Sequence, residues 1–291
     1  MPLRQTVTHL LLCAVLALSG CAPRANLPQN LSQRWLQASY WLLGERHDAP
    51  EHQQLAAENL QTLAQSGRLR ALVLEMAEQG RNTEGLATNA QEGMVRAALR
   101  WDEAGWPWAA YSAPIMAAVR ACVPVAGANL SRPQMREAMK NIAIDDAIPA
   151  GTREMHMQNV REGHCNLLPE SQIGPMARVQ IARDQAMAAA LRQWQDGAGP
   201  GQITVLLAGS VHVNQVVGVP LHLPANSAIS ILMLAGGADD PQRLAPAGYD
   251  AVWPTPAVPD KDYCAGIPVK GTSGGNTNTN ANEKEPVKPP A

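Results

Sequence analysis

Five short apolar runs constrain this chain more than any other feature: "SYWLL" at 39–43, "ALVLEM" at 71–76, "VPVAGAN" at 123–129, "ITVLLAG" at 203–209 and "AISILMLAGG" at 228–237. Each is strand-length, bounded by Gly, Pro, Asn or charge, and apolar almost throughout instead of alternating. Such strands need both faces covered, which is the situation of a parallel sheet between helices. Helical patterns fill the intervals. The expected fold is therefore α/β: a mostly parallel sheet flanked by helices, with "YDAVW" at 249–253 as an edge strand. The first helix reads as starting on Asp48 with Glu51 three residues later, a capping box, and ending near Gly67. From about 132 to 194 helical patterns run without a strand, as an insertion over the carboxyl ends of the strands. Phe is absent, so Leu, Val, Ile, Ala and Met must fill the core.

In an open parallel sheet all carboxyl ends share one edge, and ligands bind in the crevice there. The first run ends in Gly44, Glu45 and His47, the second in Glu75, the third in Asn129, and the fourth in "GSVH", Gly209 to His212. Four separate segments thus bring two histidines, two glutamates and an asparagine to one edge. The G-x-x-H spacing occurs twice, in "GERH" and "GSVH". Its glycines offer φ freedom at a sharp turn, or room for a close neighbour. Glu75 ends a buried run and needs a partner, an arginine such as Arg46. In "QIARDQAMA", Gln180, Asp184 and Met187 share a helix face that would overlook the crevice; pairing of Asp184 with Arg178 or Arg183 at the surface is the alternative.

The amino terminus carries an address. Arg4 precedes an apolar run from Leu10 to Leu18, too short to span a bilayer, and "LSGC" follows. Residues 1–20 read as a lipoprotein signal peptide, with Cys21 acylated as the new N-terminus and Ala22 matching outer-membrane sorting. Residues 21–34 read as a lipidated tether, 35–267 as a single domain, and 268–291, which has almost no apolar side chains, as a disordered tail. A net charge of −2 with scattered arginines argues against nucleic acid as a partner. Cys122 reads as a small buried hydrophobe. Cys165 and Cys264 lie in loop-like surroundings and could pair; their spacing fits no zinc pattern.

Together, "LLGERHDAPEHQ", "VLEM", "QIARDQAMA" and "LLAGSVHVNQVVGVPLHL", with the lipobox, resemble the ChaN-like haem-binding lipoprotein family. The resemblance implies an α/β fold with a helical insertion, haem binding at the bacterial surface for iron or haem acquisition, and a homodimer that can hold two haems face to face. It also implies a membrane anchor and an outer-membrane haem receptor as partners. The segment from Met94 to Met116 holds Trp101, Trp106, Trp108 and Tyr111. These rings either form a haem slot, with the Tyr111 phenolate on ferric iron, or simply pack helices. The insertion contains no tyrosine, so an axial ligand drawn from it would be His156 or, better, His164 in the loop-like "EGHCN". His47 and His212 are further candidate haem contacts. The strand-end residues are also similar to erythromycin esterases and TraB/Tiki metalloproteins. That resemblance implies a metal-dependent hydrolase in which His47, His212 and Glu75 hold a metal and Glu45 activates water. An inert scaffold lipoprotein, its strand-end residues purely structural, is the third reading.

Overall fold

A computed structural model of the protein describes residues 33–236, 246–259 and 261–265. The stretches read as signal peptide and tail, with Cys21 and most of the stretch read as tether, lie outside the described residues. In chain order the elements are α1 (Gln33–Gln37), β1 (Tyr40–Glu45), α2 (Pro50–Gln65), β2 (Leu69–Glu78), α3 (Glu92–Leu99), α4 (Trp108–Arg120) and β3 (Val125–Asn129). They continue with α5 (Arg132–Lys140), α6 (Ala150–Gly163), α7 (Glu170–Gln195), β4 (Ile203–Gly209), α8 (Ser210–Val213), β5 (Ala228–Ala235) and β6 (Ala251–Thr255). Among the described residues no helix is long and apolar enough to cross a membrane.

The six strands form one sheet in the order β3-β2-β4-β1-β5-β6, and every pairing between neighbouring strands is parallel. All six apolar runs are strands, so the fold class read from the sequence is the one observed. The pleat sends alternate residues of β1 to opposite faces. Trp41 and Leu43 join a core with α2, α3 and α4, while Tyr40 and Leu42 join a second core with α7 and α8. Central strands β1 and β4 are buried along their whole length, which is why they carry no polar alternation. Pro254 is tolerated in β6 because that strand is an edge and needs no donor on its outer side. Trp35, Trp41 and Trp253 pack ring against ring, with centroids 5.7–6.4 Å apart, and tie α1 and β6 to β1.

The helical insertion is present as α5, α6 and α7 in the crossover from β3 to β4. Two local expectations are corrected. Helix α2 begins at Pro50 on Ala49, with no side-chain cap; Asp48 instead accepts from Arg46 Nε at 2.8 Å and from the Tyr263 hydroxyl. Cys122 is exposed, in a left-handed turn at φ +61° just after α4, and is not a core residue. Cys165 and Cys264 form a disulfide, 99 residues apart in sequence.

Candidate functional site

The carboxyl edge of the sheet does collect the polar strand-end residues, around a buried glutamate. Glu75 ends the apolar stretch of β2 and is 2 % exposed. One of its oxygens accepts from Arg183 Nη2; the other accepts from the Gly209 backbone N–H at 2.7 Å. His47 and His212 approach from either side, each with Nε2 3.8 Å from a Glu75 oxygen. Burial alone would raise the Glu75 carboxyl. Arg183, His212, His47 and the Gly209 N–H together hold it well below the ordinary carboxylate range.

Each histidine is oriented from behind by a second carboxylate. His212 Nδ1 donates to Asp184 at 2.6 Å, and His47 Nδ1 donates to Glu45 at 2.7 Å. The result is a chain of acids and imidazoles, Asp184, His212, Glu75, His47 and Glu45, crossing the ends of three strands and α7. Asp184 therefore pairs with a histidine, not with Arg178, which holds Asp145, nor with Arg183. Arg183 is the partner of Glu75 in place of Arg46, and its Nε donates to Asn129 at 3.1 Å. Gln180 accepts from the same guanidinium, and Met187 on that face is fully buried.

Gly44 acts through space and not through φ. A Cβ on Gly44 would meet Val213 Cγ2 at 2.4 Å and the Ser210 Cα at 3.1 Å. The glycine of the first G-x-x-H thus makes room for the helical turn that carries the second. Gly44→Ala is expected to cost roughly 1–3 kcal/mol, as overpacking does, and to displace His212; an unchanged urea midpoint would show that the turn yields freely.

Glu45 is completely buried: it accepts from His47, from the Gln53 amide, and from the Tyr111 hydroxyl at 2.8 Å. Both of its oxygens are engaged within the core. Tyr111 is 1 % exposed, and burial together with the Glu45 charge pushes its phenol far above its ordinary value. Of the two readings of the aromatic segment, that placement favours packing over an axial phenolate. Tyr111 is a neutral donor in the core, packed against Trp101 and Trp106, and Trp106 in turn meets the His47 ring at 4.7 Å. The aromatic segment is thus core packing that also walls one side of His47.

His156 is buried, and its Nε2–H donates to the Val217 carbonyl at 2.8 Å, which holds the ring in the interior. His164 is half-buried at the C-cap of α6, not in a free loop. Its Nδ1–H donates to the Val160 carbonyl at 2.8 Å, which fixes the tautomer and leaves Nε2 with its lone pair. The next residue, Cys165, is bonded to Cys264, and beside that Tyr263 accepts from Arg46 Nη2 at 3.0 Å and donates to Asp48. Arg46 and Asp48 flank His47 in sequence. The disulfide and Tyr263 therefore join His164, from the insertion, to the loop that carries His47. Nothing in the sequence paired these distant segments except the two loop-like cysteines.

Burial lowers the pKa of His52, His156 and His222 from the ordinary 6.5, so the folded protein keeps them neutral. The unfolded chain binds the extra protons, and stability must fall as pH drops below 6.5 toward the folded values. Urea midpoints should therefore decline from pH 7 to 5, less steeply in His156→Gln, whose amide can still donate to Val217. An identical slope in that variant would remove His156 from the account.

No curated protein matches this chain. A solved structure described as "Cofacial heme binding to ChaN of Campylobacter jejuni" superposes with a TM-score of 0.56 and 20 % identity, covering 70 % of this chain and 84 % of that one. It shares the fold. Another, described as a succinoglycan biosynthesis protein, reaches a TM-score of 0.39 at 14 % identity over 71 % of this chain and 68 % of that one, too distant to support an argument. The family model described as "Haem-binding uptake, Tiki superfamily, ChaN" matches residues 31–223, more than half of the sequence, and takes in β1 through β4 with the whole buried polar chain. By that match this chain belongs to the ChaN family of haem-binding uptake proteins, for which haem is the cofactor.

Proposed function

We propose that this protein is a lipid-anchored envelope protein that binds ferric haem as cargo for iron or haem acquisition, with His164 as the axial ligand. The observation that carries the ligand assignment is the imidazole of His164, anchored through Nδ1 on the Val160 carbonyl so that Nε2 is free for iron. Bound haem would supply the iron itself; the chain supplies the donor and apolar contact. Leu167, in the turn after His164, is 40 % exposed and offers such contact beside it. The lipobox at Cys21 supports anchoring in the outer membrane, with an outer-membrane haem receptor as the exchange partner. A homodimer would bring two such haems face to face, the arrangement named for the Campylobacter jejuni protein.

The hydrolase reading finds less support in the same residues. A dication between His47, His212 and Glu75 would compete with the Arg183 guanidinium for the carboxylate, and both Glu45 oxygens already hold partners in the core. Protein lacking residues 1–21 should take up ferric haem with a new Soret band, and haem-free protein should retain no stoichiometric divalent metal. A spectrum of free, aggregated porphyrin alone would sink the haem reading. A full equivalent of tightly held metal would restore the hydrolase.

A further inference from the structure

We propose that the Cys165–Cys264 disulfide is a redox-operated strap: oxidised, it holds His164 in its liganding pose and pins Tyr263 over the Arg46–Asp48 loop; reduced by a dithiol, it releases both. This rests on the reading of His164 as the haem ligand. It adds a property beyond that reading, because Cys264 and Tyr263 lie past residue 223, outside the region matched to the family.

Three observations support it. First, the helix carrying His164 ends in a turn where Cys165 N–H donates to the Glu162 carbonyl and Asn166 N–H to the Arg161 carbonyl, at 2.9 and 2.8 Å. Such an ending places its first non-helical residue in the left-handed region and usually puts glycine there. Here that residue is Cys165 at φ +59°, followed by Asn166 at φ +56°. A cysteine tolerates this pose poorly on its own, and the bond to Cys264 holds it.

Second, the strap's side-chain contacts with the Arg46–Asp48 loop are polar and near the surface: the Tyr263 hydroxyl with Arg46 and Asp48, and the Arg46 guanidinium 5.8 Å from the Tyr263 ring centroid. Exposed contacts of this kind compete weakly with water. Once the covalent bond is cut, little keeps Tyr263 on the Arg46–Asp48 loop.

Third, the bond is open to attack. Cys264 is exposed while Cys165 is half-buried. A dithiol's thiolate attacks Cys264 Sγ, the S–S bond breaks and Cys165 leaves as a thiolate that takes up a proton. The second thiol then displaces Cys264 from the mixed disulfide. The reductant ends as its own disulfide and both cysteines as thiols.

The test uses the full chain in three forms: oxidised, reduced by a dithiol and then alkylated, and Cys264→Ser, with far-ultraviolet circular dichroism confirming that each is folded. Each is titrated with ferric haem and followed by amide hydrogen exchange in its haem-free form. Expected are faster exchange at 161–167 and 45–48 in both strap-free forms, and about 10- to 100-fold weaker haem binding, the usual effect of losing a group that orients a ligand. Adding His164→Ala to Cys264→Ser should then cost less than His164→Ala costs in the strapped protein. Unchanged exchange would overturn the strap. Faster exchange with unchanged haem affinity would overturn its control of the ligand. Oxidised protein that binds no haem would overturn the reading of the site, and the control with it, whereas the exchange data would still report on the strap.

Discussion

Replacing Glu75 with alanine is expected to cost the fold roughly 3–5 kcal/mol, the range for breaking a buried ion pair from one side. The carboxylate answers the Arg183 guanidinium, the Gly209 N–H and two imidazole edges in a place that excludes water. Alanine removes the buried charge that answers Arg183 and the acceptor of the Gly209 N–H at once. Glu75→Gln, which keeps the volume and an acceptor for Gly209 but not the charge, should lose less. Urea unfolding followed by tryptophan fluorescence measures both, with an unchanged m-value showing that stability and not compactness has moved. The sign with pH is fixed by the lowered pKa: the stability Glu75 contributes is complete above the ordinary 4.5 and is lost as pH falls below it. The wild type should therefore lose stability in that acid range and Glu75→Gln should lose less. A Glu75→Ala cost below about 1 kcal/mol would mean that the pair is solvated in solution.

The sheet and the identity of its polar edge were legible because both follow from local rules. Apolar runs without alternation require a covered parallel sheet, and a parallel sheet gathers its carboxyl ends. Glu45, His47, Glu75, Asn129 and His212 could be named from those rules alone. Their partners could not. Arg46 is nearer to Glu75 in sequence than Arg183, yet α7 lies along the sheet and places Arg183 on Glu75 and Asp184 on His212. The seating of that long helical insertion depends on tertiary packing, which leaves no periodic trace. For the same reason Asp48, well suited to cap a helix, is claimed by Tyr263 from the far end of the chain. The orientation of Tyr111 was not legible, because an aromatic-rich segment does not reveal which way a ring turns. On α4 it turns inward, where Glu45 fixes it as a donor.

His164→Ala should have the largest functional effect. Loss of an axial donor ought to weaken ferric haem binding by more than the roughly 10–100-fold that losing an orienting partner costs. His164 makes one hydrogen bond, from its ring to Val160, at the end of a helix, so its removal should leave the urea midpoint close to the wild-type value. Tyr111→Phe should do the opposite. It removes a buried hydrogen bond to a charged carboxylate, worth about 1.5–3 kcal/mol, and leaves iron ligation alone.

The central claim is therefore tested most directly by titrating ferric haem into wild-type, His164→Ala and Tyr111→Phe protein and comparing affinity and Soret spectrum. The account predicts that His164→Ala loses the wild-type band and most of the affinity, while Tyr111→Phe keeps both and is merely less stable. A wild-type spectrum in His164→Ala with a lost band in Tyr111→Phe would contradict it and return the iron to the phenolate.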